Sequence, residues 1–567
     1  MRSRSSACQT IREGTFDVCI IGGGATGTGC ALDAQLRGLS TVLLDAGDFV
    51  SGTSSASTKL VHGGVRYLQA AVSDLDYGQY SMVKKALHER IHMLRSAPFL
   101  AHPLELLVPC FSPFELLYFT IGMKVYDSIA GAASLFPSRM LSKQESLRRM
   151  PSLRSQNLVG SVSFADGQFD DARFGLTLAK TFSQQGGELI NYAKAVGFGK
   201  DSNGKLAALD VEDQLTHEHF QIRAKVFVNC TGPFADHVRL MANPAMTERL
   251  RFSKGVHLLL PLEAIQSESA LLVPKTEDGR VIFAIPWLGR LLVGTTDDEA
   301  KLTDEMVVTP EEIRYLLKYV NQYLNTNLTP KDVTSAYAGM RPLVRSKDAV
   351  DTRKLIRDHE VEVDEVSGLV SVLGGKWTTY RAMAEDGINH AQRAIPGKQA
   401  ACQTLDFPLT GASGFTPDYW QQLMEKYRLS PETAHHLARK FGMDSPKVLE
   451  LATPEPQLLL PLVEGSFAIR AEVVYVIREE MAQTIEDILL RRIGVQFHSW
   501  TEAAKAAPVV GQLMAREFAW SDAQTRLAID AYLGTIQHLF QSAGIEMSGT
   551  DESNATLGQL AVKPPNL

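Results

Sequence analysis

A chain of 567 residues is too long for one hydrophobic core, so we expect two or three domains. Its content of 45% hydrophobic and 21% charged residues is that of a globular protein and excludes a disordered, fibrous or membrane-spanning class. The formal net charge of −7 excludes a global basic field for nucleic acid. The six cysteines show no CxxC or Cys/His ligand spacing, so we expect reduced thiols in a cytoplasmic setting and no metal site.

Neither a secretory signal nor a spanning helix is expected. The start, MRSRSSACQTIREG, has no apolar stretch of the kind that signals secretion. A transmembrane helix needs about 20 nearly uninterrupted apolar residues. The most apolar region, 99–136, is interrupted by charged residues and prolines. We therefore predict short pieces there, which either lie on a membrane surface or pack in a core.

The chain opens with a complete βαβ unit. An apolar run over 16–21 predicts a buried parallel strand, which leads directly into a glycine-rich turn. A helix is predicted over 28–37 with Gly38 at its end, followed by a second buried strand over 41–44. That second strand ends in Asp45.

The turn carries the pattern Gly22-x-Gly24-x-x-Gly27. The first glycine permits the tight turn, the second lets backbone approach a pyrophosphate, and the third lets the helix pack against the strand. An acidic residue at position 45 stands where a ribose hydroxyl is bound. A glycine turn that binds nothing is the alternative, but the strand, helix and acid around this turn favour dinucleotide binding.

Further elements follow in alternation and then give way to helices. The tail over 548–567 is polar with no periodicity, so we expect it to be disordered. The predicted elements are an amphipathic helix over 76–96, a helix and strand over 170–198, a strand over 225–229, a helix capped by Thr309 and, after a linker near 410–414, helices such as 471–492.

Three stretches favour FAD over NAD. The Ser-Gly-Thr-Ser-Ser run in the hydroxyl loop (51–58) resembles the flavoprotein group that includes the D-amino-acid oxidases. Asn229-Cys-Thr-Gly232 matches the element that brings backbone near the flavin in that group, although cysteine replaces the commoner alanine. The glycines of 374–379 precede a helix whose N-terminus would face the negative charge of the reduced ring. Each stretch alone could be an ordinary turn, but their order along one chain predicts FAD.

Longer motifs identify a family. The segments 54–68, 294–297, 339–343 and 374–381 resemble the signatures of FAD-dependent glycerol-3-phosphate dehydrogenases. The helical C-terminal part is similar to the domain that ends this family, so the resemblance runs from about 15 to 540. It implies oxidation of sn-glycerol 3-phosphate to dihydroxyacetone phosphate, with hydride passing from C2 to flavin N5 and electrons to a membrane quinone. It also implies a homodimer attached peripherally to the inner face of the cytoplasmic membrane.

The resemblance implies an α/β fold of the glutathione-reductase type. We expect a discontinuous FAD-binding Rossmann domain over 15–75, 150–250 and 350–395, and a substrate-binding domain with a mixed or antiparallel sheet over 76–149 and 251–349. An all-α C-terminal domain is expected over 410–545.

The resemblance also assigns site residues. Phosphate recognition calls for arginine forks and a lysine charge. The predicted catalytic residues are His257, Arg66, Arg341 and Lys376, and the predicted substrate-binding residues are Tyr67, Arg357, Thr378 and His62. The predicted FAD-binding residues are Gly22, Gly24, Ala25, Thr26, Gly27, Asp45, Thr53, Ser54, Ser55, Lys59, Ala195, Val196, Thr231, Gly232, Gly374, Gly375, Lys376 and Thr378.

Alternatives stay open for the base and for the reaction. Histidine is the natural base near neutral pH, and His257 and His62 both stand in motifs, although either could be a packed core histidine. An arginine outside a motif is more often a solvated surface residue. Among Arg66, Arg341 and Arg357, the sequence around Arg357 matches the family least distinctively. A soluble oxidase that uses oxygen and a flavin-binding scaffold without activity are the competing functions.

Overall fold

The computed structural model describes residues 1–64, 77–274, 276–345 and 359–547. Its strands form two separate sheets. In chain order the strands are β1 Thr15–Ile21, β2 Thr41–Leu44, β3 Leu60–Val61, β4 Ala101–Cys110, β5 Arg139–Ser142, β6 Gly160–Phe169, β7 Glu188–Ile190, β8 Ala193–Lys200, β9 Leu206–Asp213, β10 His219–Asn229, β11 Leu250–Pro261, β12 Ala270–Val273, β13 Ile282–Trp287, β14 Arg290–Gly294, β15 Asp298–Ala300, β16 Ser335–Val344, β17 His359–Val363 and β18 Val370–Gly374.

Helices cover the first sheet and make up the C-terminal part of the chain. They are α1 Arg4–Glu13, α2 Ala25–Leu36, α3 Tyr77–Ser96, α4 Pro113–Ala130, α5 Lys143–Arg149, α6 Asp171–Gln184, α7 Ala235–Ala242, α8 Pro310–Tyr323, α9 Tyr380–Arg393, α10 Tyr419–Tyr427, α11 Pro431–Phe441, α12 Ser445–Glu450, α13 Arg470–Glu480, α14 Val495–His498, α15 Trp500–Phe518 and α16 Asp522–Ala543. Helix α8 begins with the predicted cap, since Thr309 and Glu312 form a reciprocal capping box.

The first sheet is built around five parallel strands, which are β18, β10, β1, β2 and β7. Its order is β17-β18-β10-β1-β2-β7, and the hairpin of β8 and β9 extends it beside β10. Strand β1 feeds two cores by alternation, because Val18 and Ile20 face the helices α2, α6 and α9 while Cys19 and Ile21 face the hairpin side. Burial on both faces explains why β1 ends in an apolar run over 18–21.

The second sheet is mixed. Its order is β15-β11-β14-β13-β12-β4-β6-β3, with β16 beside β11 and β5 beside β6. All its pairs are antiparallel except that of β12 with β4, which is parallel. Together with the helical C-terminal part, the two sheets confirm the predicted α/β fold class.

The region predicted as helical over 471–492 is interrupted in the structure. Helix α13 ends at Glu480, because the next residue, Met481, has a left-handed φ of 55°. After a short gap the chain forms a π-helical turn over Asp487–Arg492. The apolar periodicity of this region reports its burial correctly but does not reveal the interruption.

The prediction of short pieces over 99–136 is also wrong. The region forms strand β4 and the helix α4, which is 18 residues long and begins at the N-cap Ser112 with Pro113 at its first position. Pro113 therefore starts this helix and does not break it. No helix in the described part of the chain has both the length and the apolar content that are needed to cross a bilayer.

Sheet membership differs from the predicted domain boundaries at two places, the first being β3, which lies in the range 15–75 predicted for the FAD-binding domain but pairs with β6 in the second sheet. The range 150–250 is predicted to belong to the FAD-binding domain, yet β6 is an inner strand of the second sheet. This strand pairs with β4 along its whole length, and only a partner distant in sequence reveals that pairing. The other boundaries stay predictions, and the predicted disordered tail lies outside the described residues.

Candidate active site

The glycine turn after β1 depends on contacts that only glycine allows. Gly22 has a φ of +102°, and a Cβ there would lie 2.7 Å from the carbonyl oxygen of Cys230. A Cβ on Gly27 would lie 1.7 Å from the carbonyl oxygen of Gly22. Helix α2 therefore packs directly against the turn, and its N-terminus reaches the edge of the sheet where a pyrophosphate binds in folds of this type.

The first turn of α2 suits an anion. Its N-cap is Gly24, which offers no side chain for capping, and the turn contains no acidic residue. The N–H of Ala25 donates to Ser54 Oγ over 2.9 Å. Anions are stabilised at helix N-termini by the unpaired N–H groups and the helix dipole. Gly24, Ala25 and Thr26 thus lie together at this helix start, and their contact with the cofactor stays a prediction.

Asp45 lies at the end of β2 beside the glycine turn. Its Oδ2 accepts a hydrogen bond from the N–H of Gly23 over 2.6 Å, and its Oδ1 accepts from the N–H of Gly47 over 2.9 Å. Burial raises the pKa of Asp45 to about 6, and the neighbouring Asp48 acts in the same direction. The carboxylate is thus fixed beside the glycine turn, and its contact with a ribose hydroxyl stays a prediction.

Strand β8 starts next to this carboxylate. The N–H of Ala193, its first residue, donates to the carbonyl oxygen of Asp45 over 2.7 Å. Ala195 and Val196 follow on the same strand, and Val196 is 38% exposed. Both residues therefore lie on β8, the strand that begins beside Asp45. The sequence predicts that they contact the cofactor.

The hydroxyl loop joins the two sheets. Thr53 Oγ1 donates to the carbonyl oxygen of Met340 on β16 over 2.5 Å, and Trp377 Nε1 donates to the carbonyl oxygen of Ser54 over 2.7 Å. These two bonds fix the loop between the second sheet and the glycine segment before α9. The loop thus presents its hydroxyl groups next to the N-terminus of α2.

The side chain of Lys59 lies deeper than its predicted cofactor role requires. It has no solvent exposure, and its Nζ donates to Asp171 Oδ1 over 2.5 Å and to the carbonyl oxygen of Ser55 over 2.7 Å. The ammonium also lies 4.3 Å from the ring centroid of Phe497. Lys59 therefore anchors the hydroxyl loop on its buried side, through the carbonyl oxygen of Ser55.

The other predicted cofactor segments converge at the same edge. Strands β10 and β18 are parallel neighbours, so their carboxyl ends lie side by side. Thr231 follows β10 and donates from Oγ1 to Asn229 Oδ1 over 2.7 Å, and Gly232 has a φ of +55°. At the end of β18, Gly374 and Gly375 have φ values of +70° and +90°, which favour glycine. The residues present fit a bound dinucleotide.

One face of the second sheet carries a second group of predicted site residues. In the pairing of β11 with β16, Ser253 lies opposite Arg341, Gly255 opposite Gly339 and His257 opposite Tyr337. Because side chains on one face recur every second residue, these six share a face. We call Arg341, His257 and Tyr337 the substrate wall.

The two glycines between them make room. A Cβ on Gly255 would lie 2.1 Å from the Arg341 guanidinium, and a Cβ on Gly339 would lie 2.8 Å from the carbonyl oxygen of Ala56. The guanidinium therefore rests across Gly255, while the hydroxyl loop packs on Gly339. The spacing of the Gly-Met-Arg motif thus serves both contacts.

Hydrogen bonds fix the plane of the Arg341 guanidinium. One terminal nitrogen donates to Thr295 Oγ1 over 2.7 Å, and both terminal nitrogens lie 3.2 Å from the carbonyl oxygen of Thr296. Asp297 Oδ1 lies 3.3 Å from the guanidinium, and the Arg341 side chain is 27% exposed. A planar, oriented and partly open guanidinium is suited to a phosphate or carboxylate ligand.

His257 is enclosed. It is 1% exposed, its Nε2 lies 2.9 Å from Thr58 Oγ1, and its ring stacks on Tyr337 with centroids 4.9 Å apart. Within the described residues its Nδ1 has no hydrogen-bond partner. Burial lowers the pKa of His257 well below its usual value, and the positive charges of Arg341 and Lys59 lower it further. The ring is therefore neutral at pH 7 and able to accept a proton.

A second edge is built from loops, and we call His62, Lys376 and Thr378 the loop edge. The N–H of His62 donates to Thr378 Oγ1 over 3.2 Å, and Lys376 Nζ lies 3.5 Å from Met82 Sδ. His62 is half-buried, and burial together with the charge of Lys376 lowers its pKa to about 4. This histidine is also neutral at pH 7, so it too could act as a base.

Three predicted residues, Arg66, Tyr67 and Arg357, lie outside the described residues. Sequence reasoning missed Thr58 and Tyr337, which contact His257. Thr58 stands inside the quoted signature and gave a signal, whereas Tyr337 becomes visible only through the strand register.

Comparisons with known proteins agree on the kind of enzyme. A family model described as FAD dependent oxidoreductase matches residues 17–384, and one described as the C-terminal domain of alpha-glycerophosphate oxidase matches 402–525. The mitochondrial glycerol-3-phosphate dehydrogenase of Bos taurus is 41% identical over 534 residues, which are 92% of this chain and 73% of the relative. That of Arabidopsis thaliana is 39% identical over 90% of this chain and 84% of the relative.

A solved structure supports the same assignment. The glycerol-3-phosphate dehydrogenase from Bacillus halodurans, complexed with FAD, aligns with a TM-score of 0.77 and 29% identity. The alignment covers 97% of this chain and 99% of that chain. The cofactor is FAD, in agreement with the glycine turn and the neighbouring cofactor segments described above. The chain belongs to the family of FAD-dependent glycerol-3-phosphate dehydrogenases.

Proposed function

We propose that this enzyme oxidises sn-glycerol 3-phosphate to dihydroxyacetone phosphate and passes the electrons to a membrane quinone. The observation that carries the proposal is the substrate wall, where an oriented guanidinium and a neutral histidine share one face of a sheet. Oxidation of a secondary alcohol that bears a phosphate needs both groups, an anion holder and a proton acceptor. The names of the relatives support the same substrate.

Each residue of the site receives a role in this proposal. The fork of Arg341 binds the phosphate, and Lys376 and the predicted Arg66 and Arg357 add positive charge. His257 takes the hydroxyl proton, with His62 as the alternative base. Bound FAD supplies the hydride acceptor, and the protein supplies positioning and charge neutralisation.

The proposed route to quinone uses an exposed apolar helix face. Helix α4 presents Phe114, Leu117, Tyr118 and Ile121, which are 76%, 55%, 47% and 58% exposed and which we call the α4 apolar face. The opposite side of the helix is buried, with Met123 among its core residues. An amphipathic helix of this kind rests in the interface of a bilayer with its apolar side down.

Basic residues border this face. Strand β5 runs beside α4, and Lys124 Nζ donates to the carbonyl oxygen of Ser138 just before that strand. Arg139 and Lys143 are exposed nearby. Each such cation near an anionic leaflet adds about 1 kcal/mol of membrane binding. We therefore propose monotopic attachment of the enzyme to the inner face of the cytoplasmic membrane.

Flotation with liposomes tests the attachment. The wild type should float with anionic liposomes, and Phe114→Glu/Leu117→Glu should remain below while it still holds FAD. The matched control is Val366→Glu/Leu527→Glu, which places two carboxylates at other exposed apolar positions. Equal flotation of both variants would remove the α4 apolar face from the proposal.

Oxygen as the electron acceptor is the second candidate. The family model that matches 402–525 takes its description from an alpha-glycerophosphate oxidase. Purified enzyme should be assayed with glycerol 3-phosphate under oxygen alone and with a soluble quinone under nitrogen. Quinone reduction without peroxide release supports the dehydrogenase, and rapid peroxide release supports the oxidase. The predicted homodimer stays a prediction that the elution volume of the purified protein would test.

A further inference from the structure

A buried ionic cluster lies beside the ribose-binding carboxylate. Asp48 follows Asp45 in the loop after β2, and its side chain has no solvent exposure. Its Oδ2 accepts from Arg491 Nε over 2.8 Å and from one terminal nitrogen of Arg492 over 2.6 Å, and its Oδ1 accepts from the other terminal nitrogen of Arg492 over 2.9 Å. A buried carboxylate is thus held by an arginine pair that comes from the helical C-terminal domain.

The arginine pair is itself held in place. Both residues lie in the π-helical turn Asp487–Arg492, and Arg491 donates to Asp487 Oδ1 over 2.5 Å. Arg492 donates to the carbonyl oxygen of Glu480 over 2.7 Å at the end of α13. Turns of the π type widen a helix and occur often at functional sites. The two guanidinium groups therefore meet Asp48 already oriented.

Hydrogen bonds connect this cluster to the glycine turn and to the segment before β8. Asp48 Oδ1 also accepts from Asn191 Nδ2 over 3.1 Å, and the carbonyl oxygen of Gly47 accepts from the N–H of Tyr192 over 2.7 Å. The N–H of Val50 donates to the carbonyl oxygen of Gly23 over 3.0 Å. The loop over 45–50 is thereby tied at both ends to the glycine turn, through Asp45 and Val50, and between them to the C-terminal domain through Asp48. A shift of Asp48 would move Asp45 and Gly23 with it.

We propose that Arg491 and Arg492 are positioning residues for FAD, and that the C-terminal domain clamps the ribose-binding loop in its cofactor-binding conformation. The inference rests on the assignment of Asp45 to the ribose. It gives the helical domain a role in cofactor retention that does not require it to contact substrate. It also accounts for the burial of so many charges at one seam, because buried pairs of this kind contribute little net stability compared with apolar packing.

The simplest alternative is that the seam only joins the domains. A second buried pair provides the matched control, since Lys180 on α6 donates to Asp444 Oδ2 over 2.8 Å in the same interface. That pair makes no described contact with the loop over 45–50. Removing both partners of either pair leaves no unpaired charge within that pair. Asp48→Asn/Arg492→Met is therefore compared with Lys180→Met/Asp444→Asn.

The measurement is the release of FAD from the diluted holoprotein, followed as the rise of free-flavin fluorescence, alongside the unfolding temperature. We expect Asp48→Asn/Arg492→Met to release FAD at least about tenfold faster than the wild type. The control should lower the unfolding temperature about as much as Asp48→Asn/Arg492→Met does. Its rate of FAD release should stay within about twofold of the wild type. Equal acceleration in both, or in neither, would overturn the proposal.

A milder variant covers the case in which the double variant does not fold. Arg492→Lys keeps the charge but cannot supply both bonds of the fork to Asp48. It should accelerate FAD release, whereas Lys180→Arg in the control pair should not. If Arg492→Lys retains FAD as the wild type does, the clamp is not the role of this arginine.

Discussion

The two sides of the substrate site are built in different ways. The substrate wall stands on adjacent strands whose register is fixed by ten residue pairs between β11 and β16. The loop edge is held by contacts between segments that are not strands, because the N–H of His62 donates to Thr378 Oγ1 and Lys376 Nζ lies 3.5 Å from Met82 Sδ. The wall holds its groups at fixed positions, while the edge can adapt to a ligand. Geometry set by a sheet is the better support for a group that must meet a transferring proton.

The two histidines show the same contrast. His257 is enclosed and bonded to Thr58, and His62 is half-buried in a loop. Both have lowered pKa values, so protonation state does not distinguish them at pH 7. What distinguishes them is which positive charge lowers the pKa most. Arg341 acts on His257 and Lys376 acts on His62, and each charge can be removed separately.

The largest expected effect comes from the wall. Arg341→Ala should lower kcat/KM for glycerol 3-phosphate by about thirty- to a thousandfold, because losing a charge-assisted fork costs about 2–4 kcal/mol. FAD content should not change. Arg341→Lys is the matched variant, and it should recover only part of the loss because it keeps the charge without the fork. Equal kcat/KM in Arg341→Ala and the wild type would remove this residue from the site.

The next effect separates the histidines. His257→Asn should lower kcat by about a hundredfold or more, as expected for loss of a general base, and apparent substrate affinity should change much less. His62→Asn should have a smaller effect on kcat and a larger effect on KM, because His62 lies at the adaptable edge. Steady-state kinetics with a soluble quinone give both parameters. The reverse ranking would make His62 the base.

A smaller effect is expected at the bond that orients His257. Thr58→Val removes the hydroxyl that lies 2.9 Å from Nε2 and preserves the shape of the side chain. One such hydrogen bond contributes about 1 kcal/mol, so kcat should fall about fivefold. FAD content and the unfolding temperature serve as controls. An unchanged kcat would show that Thr58 does not orient the base.

The sequence predicts the dinucleotide half well because its signals are local. Strand β1, the glycine turn, helix α2 and Asp45 follow one another within one short segment, and each carries its own pattern. The second sheet is harder, since β6 is assigned to it only by its partner β4. The order of the FAD-binding and family motifs follows directly from the sequence. Recognising that Arg341 and His257 share a sheet face requires the strand register.

Other features had no local signal. The amphipathic helix α4 was hidden by Pro113, which starts the helix but resembles a break in the sequence. The break at Met481 depends on a left-handed residue that is not glycine, so composition gives no warning. The pairing of Asp48 with Arg492 joins positions 444 residues apart. Charged residues at such positions are indistinguishable from solvated ones until the fold brings them together.

The rate of flavin bleaching by glycerol 3-phosphate under anaerobic conditions, measured against pH, tests the central claim most directly. The wild type should lose activity only well below pH 6.5. The pKa of His257 lies well below 6.5, so the ring becomes protonated only at such low pH. Removing a nearby positive charge raises the pKa of a histidine, so Arg341→Gln should move the acid limb to higher pH and Lys376→Gln should not. A limb that moves with Lys376→Gln and stays in place with Arg341→Gln would contradict the account and assign the base to His62.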